Sequence, residues 1–238
     1  MAPIRIFCAG SFRLALQDLL ACFQARMPIA IDYQCGPAGI LREQIELGEA
    51  CDIFISANQQ NIEELGSQVK AQQLIAHNTL LLTTLNKSEY QRTSLDLLFD
   101  EALRLATSTP RCDPGGDYAW QLFDLIEKQF PIQGEKLKAR ALQLVGGKQS
   151  QVVIPQTELA ASYLLKNNYA EMMLGYGHYR LRLQEEGLLC HDLPEKLQIR
   201  VEYMAARLTE KTDAVRLFNF LISKAAREII QRHGFLMI

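Results

Sequence analysis

Long apolar runs are missing from this sequence: nowhere do the ~18 consecutive apolar residues of a membrane-spanning helix occur. Clusters of one charge are missing too. The 25 Lys and Arg stand against 27 Asp and Glu, for a net charge of -2 and a pI near 6.1, with no long basic run. A nucleic-acid footprint is therefore not expected. Neither G-x-G-x-x-G nor G-x-x-x-x-G-K-[ST] is present, which argues against dinucleotides and nucleoside triphosphates as ligands. The six cysteines (Cys8, Cys22, Cys35, Cys51, Cys112, Cys190) include no C-x-x-C pair, so no zinc site or redox dithiol motif is predicted. They read as small buried hydrophobes. Internal repeats and low-complexity segments are also lacking. Arg5 and Arg13 interrupt the first hydrophobic stretch, so no signal peptide is expected; the chain reads as cytoplasmic or as a mature exported form with a new Met1.

What is present is an ordinary folding composition, 48% apolar and 22% charged over 238 residues, enough for one large or two small domains. Ile4–Cys8 predicts a strand. Ser11 is placed to cap a helix with Leu16, Leu19, Leu20 and Phe23 on one face. Ile29–Cys35 predicts a second strand with Ile29, Ile31 and Tyr33 inward. A helix over Ile40–Leu47, stopped by Gly48, and a strand over Asp52–Ala57 complete a βαβαβ run, which implies a parallel sheet. Helical pattern over Asn61–Leu74 and a strand over Thr79–Leu85 follow. A helix then leads to a strand at Arg104–Thr107, and a helix starts near Asp117 after the Gly115-Gly116 turn. Thr157 is read as the cap of the next helix, and "EMMLGY" as a strand turning at Gly175–His178. "LQIRVEYMAARL" is a further strand. The tail predicts helices over Asp213–Ile222 and Lys224–His233, stopped by Gly234, which return to the first half.

Strand–glycine–helix turns recur at Ala9-Gly10-Ser11, Gly36-Pro37-Ala38-Gly39 and Gly115-Gly116, with a fourth helix start after Thr157. A helix start carries unpaired N–H groups and a partial positive charge, and in open α/β sheets ligands bind beyond the carboxyl ends of the strands. Four such starts can converge on one small anion without lysine or arginine. Such turns are also common in α/β proteins that bind nothing there.

The stretches "FCAGSFRLALQDL", "GPAGILREQIELGEACDIFISAN", "ATSTPRCDPGGDYAWQLF" and "QRHGF" are similar to those of the periplasmic molybdate-binding proteins of ABC transporters, over nearly the whole chain from Ile4 to Phe235. The resemblance implies a type II, two-domain α/β periplasmic-binding-protein fold. Its ligand cleft would lie between domains joined by two crossover strands, near Thr79–Leu85 and Leu197–Leu208. Domain one would span 1–84 plus 198–238, and domain two 85–197. It also implies a site for a tetrahedral oxyanion, molybdate or tungstate. Ser11 would give its hydroxyl and amide, Gly115 and Glu158 their amides, and Tyr176 its phenol. Ala38 falls where the family has a serine, so it keeps only a backbone N–H, and Glu158 brings a carboxylate. The expected partners are the oxyanion, an ABC permease in the membrane and, through it, the ATPase. A periplasmic monomer is implied, without catalytic residues, cofactor, nucleic acid or direct cation ligands. Alternatives are the same fold binding sulfate, thiosulfate, phosphate or a small organic anion, or serving as a cytoplasmic ligand sensor. Cys8, Cys35 and Cys112 near the turns also admit a soft-metal cluster or a nucleophile paired with His178. Packing as small core residues is the plainer reading of them.

Overall fold

The opening apolar run becomes the centre of a sheet in the computed structural model, which describes residues 3–150 and 152–238. β1 (Ile4–Ala9) leads through a 3₁₀ turn at Gly10–Phe12 into α1 (Arg13–Gln24). Then come β2 (Ile31–Gly36), α2 (Ala38–Glu46), β3 (Ile53–Ser56), the single turn α3 (Gln60–Glu63) and β4 (Ala71–Asn78). The chain crosses to a second unit for β5 (Leu80–Leu85), α4 (Ser94–Phe99), β6 (Leu105–Ser108), α5 (Pro114–Gln129), α6 (Pro131–Arg140) and β7 (Leu142–Val145). α7 (Ala160–Lys166), β8 (Met172–Tyr176), α8 (Arg180–Glu185) and β9 (Leu188–Asp192) complete it. β10 (Val201–Arg207), α9 (Thr212–Leu221) and α10 (Lys224–Arg232) return to the first unit. The units are 1–78 with 201–238, and 79–200.

The first unit holds a five-stranded sheet in the order β2-β1-β3-β10-β4. β1 is parallel to β2 and β3, while β10 runs antiparallel to β3 and β4. Leu16, Leu19, Leu20 and Phe23 of α1 are buried as their spacing predicts. Each such side chain contributes about 1.5–3 kcal/mol on leaving water. The two tail helices do return here: Phe23 meets Phe220 at 5.5 Å between ring centroids, and the Ser223 hydroxyl caps α10 by accepting from the Ala226 N–H. Gly234 (φ 83°) ends α10, a left-handed conformation that costs glycine little. The chain then turns Phe235 in against Phe12 and Tyr203, at 5.2 and 4.9 Å.

The second unit holds a sheet in the order β7-β6-β8-β5-β9. β6 is parallel to β7 and β8, and β5 is antiparallel to β8 and β9. Leu81, Ala106 and Met173 pack on one face with Leu164 and Leu165 of α7. The run Leu80–Leu85, read from sequence as a connector, is thus an inner strand of this sheet.

Four local expectations are corrected. Helix over Asn61–Leu74 is confined to Gln60–Glu63, because Gly66 takes a left-handed φ of 52° and the chain from Ala71 pairs with β10. Tyr33 does not point inward. β2 is an edge strand, and the tyrosine is 44% exposed with its hydroxyl accepting from Gln17 Nε2 at 3.3 Å. α5 starts at Pro114 rather than near Asp117. Asp113 caps it and proline fits the first turn, where its missing N–H costs nothing. Thr157 does not cap α7, which begins after Leu159.

Candidate functional site

In the first unit, the carboxyl ends of β1 and β2 lie side by side, with Ala9 opposite Gly36. Ser11 and Ala38 follow these ends directly. Ser11 does not cap α1 with its side chain; Phe12 holds the cap position. Its Oγ instead accepts from the Tyr203 hydroxyl at 2.7 Å, a contact between residues 192 apart in sequence. Tyr203 is fully buried and held by Phe12 and Phe235, so the serine rests on a rigid aromatic support. Ala38 is the first residue of α2 and is buried. The N–H groups of Ala38, Gly39 and Ile40 precede the first bond of that helix, from Leu41 N–H to the Pro37 carbonyl at 3.1 Å. At the end of β3 the Ser56 hydroxyl donates to Asn58 Oδ1 at 3.1 Å and accepts from Asn61 Nδ2 at 3.2 Å. This buried network fixes the turn at Ala57-Asn58.

In the second unit, Gly115 and Tyr176 are brought together. A Cβ placed on Gly115 would lie 3.2 Å from Ser108 Oγ, 3.4 Å from Tyr176 Oη and 3.5 Å from Asp113 Oδ1. Three oxygen groups therefore border the space beside this glycine. The Gly115 N–H donates to Asp113 Oδ1 at 3.0 Å, and the Ser108 hydroxyl lies beside the same carboxylate. The far oxygen rests against Gly146, whose φ of 77° and lack of a side chain make room; a Cβ there would stand 2.6 Å from Asp113 Oδ2. Burial pushes the Asp113 carboxyl up to about 6, against the lowering effect of the Gly115 N–H and Ser108, and with a small upward push from Asp117.

Glu158 is exposed, and its N–H donates to the Pro155 carbonyl at 3.0 Å, inside the turn before α7. The amide expected for a ligand is thus engaged within the chain. The signal missed from sequence was Asp113 itself: Asp-Pro before a helical pattern is a capping pair, and the cap consumes an N–H that would otherwise face a ligand. Ser108 and Tyr203 were missed because only tertiary contacts give them roles.

Cys8 and Cys35 occupy opposite positions on β1 and β2, so their side chains share one face of the sheet. The Cys8 thiol donates to the Ala9 carbonyl at 3.4 Å. The neighbouring Cys8 thiol, then Arg13, lowers the Cys35 thiol against an upward push from burial, while burial, then Cys35, raises Cys8 well above the usual thiol range. Burial pushes Cys51 up to about 12. Because the thiolate is the nucleophile, iodoacetamide at neutral pH is expected to label Cys35 well ahead of Cys8 and Cys51 in the native protein. Peptide mass spectrometry reads the order, and equal labelling of Cys8 and Cys35 contradicts it. Among the described residues no three His, Cys, Asp or Glu side chains form a group able to hold a metal ion. His178 packs against Tyr179, with ring centroids 3.8 Å apart and the planes tilted by 40°.

A family model for bacterial extracellular solute-binding proteins matches residues 4–236. The chain belongs to this family. An uncharacterised protein of Pasteurella multocida is 36% identical over 228 residues, covering 92% of each chain. The molybdate-binding protein of Escherichia coli is 24% identical, over 98% of this chain and 88% of its own. Among solved structures, the periplasmic molybdate-binding protein of Azotobacter vinelandii superimposes with a TM-score of 0.77 at 16% identity, covering 99% of both chains. The sulfate-binding protein of Mycobacterium tuberculosis gives 0.81 at 10% identity, covering 100% of this chain and 88% of its own. The two α/β units of this solute-binding protein have the type II periplasmic-binding-protein fold expected from its sequence. Members of the family bind solutes rather than transform them.

Proposed function

We propose that this solute-binding protein captures a tetrahedral oxyanion, molybdate or tungstate, outside the cytoplasmic membrane and delivers it to an ABC importer. The observation that carries this reading is chemical. The groups grouped at strand ends are hydroxyls and helix-start amides: Ser11 and the start of α2 at Ala38 in one unit, and Tyr176 and Ser108 beside Gly115 in the other. Each unit thus offers groups that can receive an oxyanion through directed hydrogen bonds rather than through a cationic partner. The relation to a molybdate-binding protein supports the choice of ligand. Glu158 is left out of the proposed set, since its N–H is bonded to Pro155.

Calorimetry and thermal shift on protein freed of ligand by unfolding and refolding test this. One molybdate or tungstate per chain, with a raised melting temperature, is expected, because a ligand bound only by the native state stabilises it. Ser11→Ala and Tyr176→Phe are each expected to weaken binding by about 2 kcal/mol, the scale of a hydrogen bond to a charged group. No response to molybdate, tungstate, sulfate or phosphate would sink the oxyanion reading. Tighter binding of sulfate or phosphate would replace molybdate as the ligand.

A further inference from the structure

The Asp113 carboxylate stands where an oxyanion would compete with it. Its Oδ1 already accepts the Gly115 N–H at 3.0 Å, the bond that a ligand oxygen at this helix start would be given. An oxygen accepting from Tyr176 Oη and lying over Gly115 enters the space bordered by Ser108 Oγ, Tyr176 Oη and Asp113 Oδ1, within direct reach of the carboxylate. Two anionic oxygens in direct contact repel strongly unless a proton lies between them; this is the rule for carboxylates sharing a site. Asp113 cannot simply withdraw. Its other oxygen is packed on Gly146, and Ser108 and the start of α5 hold it in place.

Resting on the oxyanion reading above, we propose that the protein takes up its anion together with one proton, shared between Asp113 and an oxygen of the ligand. The proton comes from solvent: carboxylate, dianion and proton combine into a complex in which a carboxylic acid donates to the anion. Asp113 is then the residue that sets the charge of the bound state. The carboxyl is poised for this, since burial already raises it to about 6 before any ligand arrives. Of the charged and titratable groups on the elements packed here, Asp117 on α5 acts on the carboxyl and Tyr176 at the end of β8 borders the same space; Arg111 and Cys112 precede it in the loop, His178 follows Tyr176 by two residues, and Lys148 follows Gly146 by two. The Arg111 N–H and Asp117 are joined to each other at 2.7 Å.

The experiment is calorimetric titration with dilute molybdate at pH 7.5, in two buffers of different ionisation heat, on wild type, Asp113→Asn and His178→Gln. Wild type is expected to take up about one proton per anion, with affinity falling about tenfold for each pH unit above neutrality, the slope of a single linked proton. His178→Gln is expected to keep that uptake. Asp113→Asn is expected to take up none, to bind with an affinity flat in pH, and to exceed wild type at the alkaline end. Heats independent of buffer in wild type, or uptake that persists in Asp113→Asn, overturn the proposal while leaving the oxyanion reading intact. Absence of binding at every pH removes both. Should Asp113→Asn fail to fold, the wild-type buffer dependence and its survival in His178→Gln decide the matter, loss in the latter overturning the proposal.

Discussion

Gly116→Ala is expected to destabilise the protein by about 3 kcal/mol, at the upper end of the usual cost of overpacking. A Cβ at this position would lie 2.4 Å from both the Thr109 carbonyl carbon and the Pro110 nitrogen, and 2.7 Å from the Ser108 carbonyl oxygen. All three are backbone atoms, so no side chain can rotate aside. Relief requires either the first turn of α5 or the loop after β6 to move. That loop is itself tied down: Thr109 N–H and Oγ1 both donate to the Val145 carbonyl, at 2.9 and 3.0 Å. Urea unfolding is the measurement, with a lowered midpoint and an unchanged m-value. Gly175→Ala is the control, because a Cβ there meets nothing within 4 Å and its effect should stay within about 0.5 kcal/mol. Equal stability of the two variants would show that the loop yields freely. Ligand affinity of Gly116→Ala should fall as well, since the displaced elements carry Ser108 and Asp113.

Asp52→Ala is expected to cost a similar amount, about 3 kcal/mol, as for removal of one member of a buried charged network. The Asp52 carboxylate is buried and accepts from the Arg5 N–H at 2.9 Å, the Thr209 hydroxyl at 2.8 Å and Lys211 Nζ at 3.0 Å. Its own backbone adds Asp52 N–H to the Arg5 carbonyl at 2.8 Å and Leu208 N–H to the Asp52 carbonyl at 2.9 Å. One residue thus joins the start of β3 to β1 and to the segment after β10. Burial pushes the carboxyl upward, but the Arg5 N–H, Lys211 and Thr209 together outweigh it and leave the group below the ordinary carboxylate range. A depressed folded-state value means stability that is complete above the unfolded value, ~3.9, and lost as the pH falls through the folded one. Asp52→Asn therefore separates charge from shape. Its deficit relative to wild type should be full at pH 7 and shrink in acid, read by urea unfolding at both pH values. A deficit independent of pH would mean that shape alone matters.

The sequence determined the elements whose cause is local. The helical spacing of Leu16, Leu19, Leu20 and Phe23 needs only one apolar face, and the alternation of apolar runs with Gly-containing turns already implies the parallel β2-β1-β3 core. It also placed Ser11, Ala38 and Tyr176, three of the groups proposed to receive the anion, at or just after strand ends. What only the tertiary structure decided depends on partners far along the chain. β4 was hidden in helical pattern because its strand character comes from pairing with β10, more than a hundred residues later. Tyr33 is exposed because sheet order made β2 an edge, and order is not written in the periodicity of one strand. Ser11 receives Tyr203 rather than capping α1, since a hydroxyl can satisfy either geometry and burial of the aromatic cluster selects one. The charge environment beside Gly115 was likewise invisible. A carboxylate two residues before a glycine is common in any sequence; only the close packing of Gly146 and Ser108 around Asp113 turns it into a half-buried, raised acid at a helix start.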